Sequence, residues 1–342
     1  MNNHFWSGMA VILGSGALNA GFAMPMKLAR NWKWENLWLV FSVVGIFMVP
    51  WALALGLVPG LMQVYAGVTP RALLLPLVFG LLWGFAQVTF GVSFRIVGVA
   101  LSFAVVSGLA SLSGSLVPLL VFHPQDLFHP RGILLLLSLP FLIVGLVLYA
   151  YAGRRREKEQ ADPNAGSSSA KSSFATGMAL CIFTGIFASS YNLGFAFGGE
   201  VIRASLDHGA GQMTSTFPVW GLVLGAGFIP NLVYCLYLLR KNQTVNLFLG
   251  SGWTREAILA IAMALTWATA VLGYGIGATL VGADGTSVGY MLFVAASIFF
   301  ANAYGLLAGE WKGTSVRTRK FLFGAIAFIL IAVMVLNLGG LF

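Results

Sequence analysis

Ten near-continuous apolar stretches of roughly twenty residues each leave this chain few places to fold. They lie near 4–27, 36–58, 72–94, 99–121, 132–152, 174–199, 214–239, 255–280, 287–309 and 320–340. A helix of that length crosses the ~30 Å hydrocarbon core of a bilayer. The stretches are Gly-rich and lack the period-two alternation of a barrel strand, so helices are expected. Composition agrees, with only 19 Lys+Arg and 10 Asp+Glu in 342 residues and a mean hydropathy of +0.88. No water-soluble fold hides that much apolar surface, which excludes a soluble enzyme, a nucleic-acid binder and a disordered chain. The expected fold is an all-α polytopic membrane protein with ten transmembrane helices.

The basic residues fall on one side of this pattern. Alternate loops, beginning with the first, carry Lys27, Arg30, Lys33, Arg95, Arg154, Arg155, Arg156, Lys158, Lys171, Arg240, Lys241, Arg255, Lys312, Arg317, Arg319 and Lys320. The other loops carry only Arg71, Arg131 and Arg203. Lys and Arg collect in cytoplasmic loops, which puts the odd loops in the cytoplasm and both termini outside it. A span missed or invented would swap the later loops and erase the asymmetry. No Lys or Arg precedes the first stretch, so it reads as a retained span rather than a signal peptide. Cys181 and Cys235 fall inside spans and read as small apolar residues.

Residues 153–173 are polar and rich in Ser, Gly and Arg, a composition that buries too little to order itself. They read as a cytoplasmic linker between a first five-helix repeat, 1–152, and a second, 174–342. The halves echo each other. Asn19-Ala20-Gly21-Phe22-Ala23 in the first span matches Asn192-Leu193-Gly194-Phe195-Ala196 in the sixth. Trp83 followed by Phe90-Gly91 in the third matches Trp267 followed by Tyr274-Gly275 in the eighth. An odd number of spans per half inverts the second copy, the architecture of secondary transporters with a mid-membrane site at the repeat interface.

Several stretches carry a resemblance. They are Ala23-Met24-Pro25-Met26-Lys27 with Trp32-Lys33-Trp34-Glu35; Gly80-Leu81-Leu82-Trp83-Gly84 through Gly91; and Arg95-Ile96-Val97-Gly98. Further on come Thr184-Gly185-Ile186-Phe187, Gly225-Ala226-Gly227 leading to Asn231, and Leu307-Ala308-Gly309-Glu310-Trp311. In order and spacing these resemble the L-rhamnose–proton symporter family, and the five-plus-five plan resembles the drug/metabolite transporter superfamily. The resemblance implies a proton-coupled importer of a deoxyhexose in the bacterial inner membrane, with a sugar, a proton and lipid as its partners; the sequence leaves the oligomeric state open, a monomer included. Where that family has a glutamine three positions after the eighth-span tryptophan, this chain has Ala270, which leaves the particular sugar less firmly implied. The alternative is a related transporter or exporter of another small neutral metabolite.

The residues themselves point the same way. No Asp, Glu, Lys, Arg or His lies near the centre of a span, so a neutral solute suits the pathway better than an ion. A sugar calls for amides at its hydroxyls and aromatic faces at its C–H groups. Asn19 and Asn192 are expected against one cavity, because the repeat makes them equivalent. Gln87 lies four residues after Trp83 on the same helical face, and Trp83, Tyr191, Trp267 and Tyr274 supply rings. Asn231, Asn302 and Asn337 read as interhelical bonds, Glu35 as a helix cap, and Glu310 as an ion-pair partner of cytoplasmic charges. Glu200, beside Gly198-Gly199 and three residues before Arg203, is the proton-coupling candidate. Asp207, Asp284, His4, His123, His129 and His208 read as loop or interface residues. No metal cluster, cofactor loop or catalytic set can be assembled, so neither enzyme chemistry nor a cofactor is expected.

Overall fold

The computed structural model describes residues 5–122, 128–160, 167–282 and 288–339, and all regular structure among them is helical. In chain order the α-helices are α1 (Phe5–Gly21), α2 (Trp34–Phe41), α3 (Val49–Leu57), α4 (Leu61–Ala66), α5 (Pro70–Val97), α6 (Val99–Phe122) and α7 (Pro130–Gln160). Then follow α8 (Ser167–Ala188), α9 (Ser190–Phe197), α10 (Gly199–Asp207), α11 (Phe217–Lys241), α12 (Trp253–Val281), α13 (Val288–Leu307) and α14 (Val316–Gly339). Among the described residues, eight stretches are long and apolar enough to cross a bilayer: Phe5–Leu28, Trp34–Leu57, Pro70–Val97, Gly132–Gln160, Phe174–Asp207, Phe217–Lys241, Trp253–Val281 and Val316–Val335. The other two expected spans, 99–121 and 287–309, fall on α6 and α13, whose described apolar stretches are shorter, Leu101–Ser113 and Leu292–Leu307. The chain is a multi-pass helical membrane protein.

Three expectations change in detail. The second span is not one regular helix: α2 passes into α3 through a widened π turn, Ser42–Met48. Pro50 follows two residues later and has no N–H to donate to the preceding turn, so the ladder is already broken there. The sixth span is interrupted on both sides of α9, at Ser189 and at Gly198. Serines and a Gly-Gly pair are weak helix formers, and a methyl at Gly198 would stand 2.4 Å from Val219 Cγ1. Finally, the ends of segment 153–173 are helical rather than linker-like, because α7 continues to Gln160 and α8 starts at Ser167. Composition alone missed the tertiary ties of α7. Glu159 accepts Ser315 N at 2.7 Å and Thr318 Oγ1 at 2.8 Å, while Gln160 Nε2 donates to the Lys312 carbonyl at 2.8 Å. Residues 161–166, His4, His123 and Asp284 lie outside the described residues.

Two compact units emerge, and each draws on both halves of the sequence. The first comprises Met1–Val88 and Ser190–Gly289. In it α1 packs along α12, and α11 packs against α2, the π turn and α3. Its core is aromatic, with Phe22, Trp38, Phe41, Trp220 and Tyr274 all fully buried. Helices α5 and α11 meet backbone to backbone: a methyl on Gly84 would stand 2.4 Å from the Gly227 carbonyl oxygen, and one on Gly80 2.1 Å from that of Val223. Only glycine permits that approach.

The second unit comprises Thr89–Ser189 and Tyr290–Phe342. Here α7 runs along α14, and α6 packs on α7 and α8. Hydroxyls join its helices in pairs: Thr89 with Thr184 at 2.6 Å, Ser93 with Ser102 at 2.9 Å, and Ser113 with Ser189 at 3.0 Å. Asn302 accepts the Tyr149 hydroxyl and donates to the Ile298 carbonyl at 2.9 Å, as expected of an interhelical amide. Glu310 faces Arg156 at 3.9 Å. Cys181 and Cys235 are both free and buried.

Candidate functional site

Seven of the residues expected to bind substrate, and Glu200, fall within the first unit. Helix α12 carries Trp267 and Tyr274 seven residues apart, about two turns along one face. Helix α5 carries Trp83 and, one turn later, Gln87. The short α9 presents Tyr191 and Asn192 at its start, between the two interruptions of its span.

These elements bring the rings into a circuit that starts and ends on α12 and is completed by that helix. Trp83 stacks on Trp267, with centroids 5.7 Å apart and planes within 17°. Tyr191 lies 6.0 Å from Trp83 and 5.9 Å from Trp220, and Trp220 meets Tyr274 edge-on at 6.5 Å, back on α12. Phe195, one turn after Tyr191 on α9, also stacks on Trp220, with centroids 4.6 Å apart. The Tyr274 hydroxyl donates to Asn192 Oδ1 at 2.8 Å. Trp220 and Phe195 escaped the sequence reading.

Gln87 is 4 % exposed, and its Nε2 has no hydrogen-bond acceptor among the described residues. Leaving a buried amide donor unmet costs ~1–3 kcal/mol, a cost that a ligand oxygen would remove. The Trp220 indole N–H is likewise buried without an acceptor. The assembled groups are neutral: ring faces, amides and a phenol. Asn19 is half-buried on α1, the helix packed along α12, one turn beyond Ser15, whose Oγ would meet a methyl on Gly273 at 2.6 Å.

The carboxylates lie apart from this circuit in the sequence and make other bonds. Glu200 Oε1 accepts Thr69 N and its Oε2 accepts Thr69 Oγ1, both at 2.7 Å. Thr69 immediately precedes α5, so Glu200 supplies a negative group to the N-terminus of the helix that carries Trp83 and Gln87. Glu35, read as a cap of its own helix, reaches across instead: its Oε1 accepts Asn242 Nδ2 at 2.8 Å and Thr244 Oγ1 at 2.9 Å. Glu256, which the sequence reading passed over, is fully buried and accepts the Arg30 and Asn31 amides at 3.1 and 3.3 Å. Nothing in the sequence around Glu256 announces that partner, because the bonds span more than two hundred positions.

The family model described as L-rhamnose-proton symport protein (RhaT) matches residues 1–341. The chain belongs to that family. Relatives named L-rhamnose-proton symporter align over almost their full length. The protein of Pectobacterium atrosepticum is 24 % identical over 332 residues, covering 95 % of both chains. That of Salmonella gallinarum is 23 % identical and that of Yersinia pestis 24 %, each over 346 residues and 99 % of both chains. The L-rhamnose-proton symport protein family is one of transporters, not enzymes.

Proposed function

We propose that this protein imports L-rhamnose, or a deoxyhexose close to it, together with a proton by alternating access. Family membership over the whole chain supports the reaction, and an exporter or another neutral metabolite is the less favoured reading. One structural observation carries the sugar site: Gln87 holds an unmet amide donor one turn from the Trp83–Trp267 stack. The stack offers apolar faces to sugar C–H groups, and Gln87 offers N–H groups to a hydroxyl oxygen. Tyr191, Tyr274 and Asn192 complete the proposed site, with Asn19 entering from α1.

The proposed architecture is ten spans in two inverted repeats, 1–152 and 174–342, joined by a cytoplasmic segment 153–173. The site residues then lie in the bacterial inner membrane, with both termini in the periplasm. Two packing facts support the repeat. The second and seventh spans pack together, as α2 and α3 with α11, and so do the fifth and tenth, as α7 with α14. Those are the pairs that a two-fold relation between halves maps onto themselves. Glu200 is the proposed proton carrier. Its bonds to Thr69 tie it to the start of α5, and a proton on the carboxyl removes the charge that strengthens them and that favours the N-terminus of that helix.

Uptake of radiolabelled L-rhamnose into proteoliposomes tests the function. The expected result is accumulation when the outside is acidic and collapse of accumulation with a protonophore. No uptake of any deoxyhexose would end the reading.

A further inference from the structure

Asn231 stands outside the residues proposed to touch the sugar, yet its bonds lead to them. We infer that Asn231 is a positioning residue that sets the Trp83–Trp267 stack and, through the stack, the affinity for sugar. Its Oδ1 accepts the Trp38 indole N–H at 2.9 Å, and its Nδ2 donates to the carbonyls of Gly227 at 2.9 Å and Gly84 at 3.3 Å. The side chain is fully buried, and the bonds to Trp38 and Gly84 tie α11 to α2 and to α5 at one point, the third being within α11.

Both branches end on the same pair of rings. From Trp38 the contact passes to Phe41, centroids 4.8 Å apart, and from Phe41 edge-on to Trp267 at 5.6 Å. From Gly84 the path is a single peptide, because its chain neighbour is Trp83. The Trp83–Trp267 stack at 5.7 Å closes the loop. Trp83 also rests on Gly227, where a methyl would stand 2.5 Å from Trp83 Cε3. Asn231 lies one turn after Gly227 and holds its carbonyl, so the surface under Trp83 and the ring opposite it are fixed by one amide. An amide serving only as glue would bind two helices at any convenient point. This one bonds the carbonyls of Gly227, against Trp83, and of Gly84, next to it in the chain, and reaches Trp267 from Trp38 through Phe41.

The transport readout of this inference rests on the proposed sugar site, whereas its spectroscopic readout does not. Stacked indoles give an exciton couplet in circular dichroism, and because Trp34 and Trp38 also stack, 5.2 Å apart, the couplet of the Trp83–Trp267 pair is read as the difference that Trp83→Phe makes within each background. Asn231→Leu keeps the side chain's bulk and removes all three bonds. It is expected to remove that difference and to raise the KM for L-rhamnose about five- to tenfold, with Vmax unchanged. Trp38→Phe should show part of both effects and add nothing to Asn231→Leu. In the Trp83→Phe background Asn231→Leu should leave KM where it is. An intact couplet, or a KM rise as large in the Trp83→Phe background as in the wild type, overturns the inference. Trp38→Phe carries the same readings if the leucine variant does not fold. If the wild type takes up no deoxyhexose, the sugar-site reading fails while the couplet still decides whether Asn231 sets the stack.

Discussion

Gln87 and Glu200 make opposite use of their polar atoms. The Gln87 amide nitrogen is buried without an acceptor, whereas both Glu200 oxygens are taken by Thr69. Gln87→Ala is therefore expected to raise the KM for L-rhamnose about tenfold, the effect of losing roughly one hydrogen bond of ~1.4 kcal/mol to the ligand, with membrane abundance unchanged. An equal loss of folded protein would make the amide packing glue instead. Glu200→Gln keeps the shape and removes the charge. It should abolish uphill accumulation and preserve sugar exchange down a gradient; a variant that still concentrates sugar would reduce Glu200 to a cap on α5. Gln87 and its neighbours were legible in the sequence, since helical spacing places Gln87 beside Trp83 and the repeated motif singles out Asn19 and Asn192. Trp220, Glu256 and the bonds of Asn231 were not, because they depend on which helix lies opposite, and an apolar run is silent on that.

At the scale of elements, the backbone contact between α5 and α11 holds Trp83 in place. A methyl at Gly84 has to displace backbone rather than a flexible side chain. Gly84→Ala should destabilise the detergent-solubilised protein by about 1–3 kcal/mol, read as a lower thermal unfolding midpoint. Gly56→Ala, with nothing within 4 Å of the new methyl, should leave the midpoint unchanged or raise it slightly. Equal shifts would mean that the approach of α5 to α11 contributes nothing. Eight of the ten expected spans were readable because bilayer thickness dictates their length. Their interior breaks were only half readable. Gly198-Gly199, Pro50 and the serines at 189 and 190 are visible in the chain as weak points, but that the helix widens into a π turn over Ser42–Met48 and breaks at Ser189 is not.

Over the whole molecule, order along the chain and order in space diverge. The sequence divides at 153–173, whereas each compact unit takes helices from both sides of that segment. An apolar run records that it spans a membrane but not which run it packs against, so composition could place the spans and leave their partners open. The proposed orientation has a direct check in a background lacking Cys181 and Cys235. Asn2→Cys should react with an impermeant thiol reagent from the periplasmic side and Ala165→Cys only from the cytoplasmic side; labelling of both from one side contradicts the ten-span count. The central claim is that sugar and proton cross together. Its most direct measurement is the internal pH of proteoliposomes loaded with a pH-sensitive dye, with no initial pH gradient, after L-rhamnose is added outside. The account predicts that the interior acidifies as sugar enters, and that Glu200→Gln removes the acidification. Entry of L-rhamnose with no change in internal pH would contradict it.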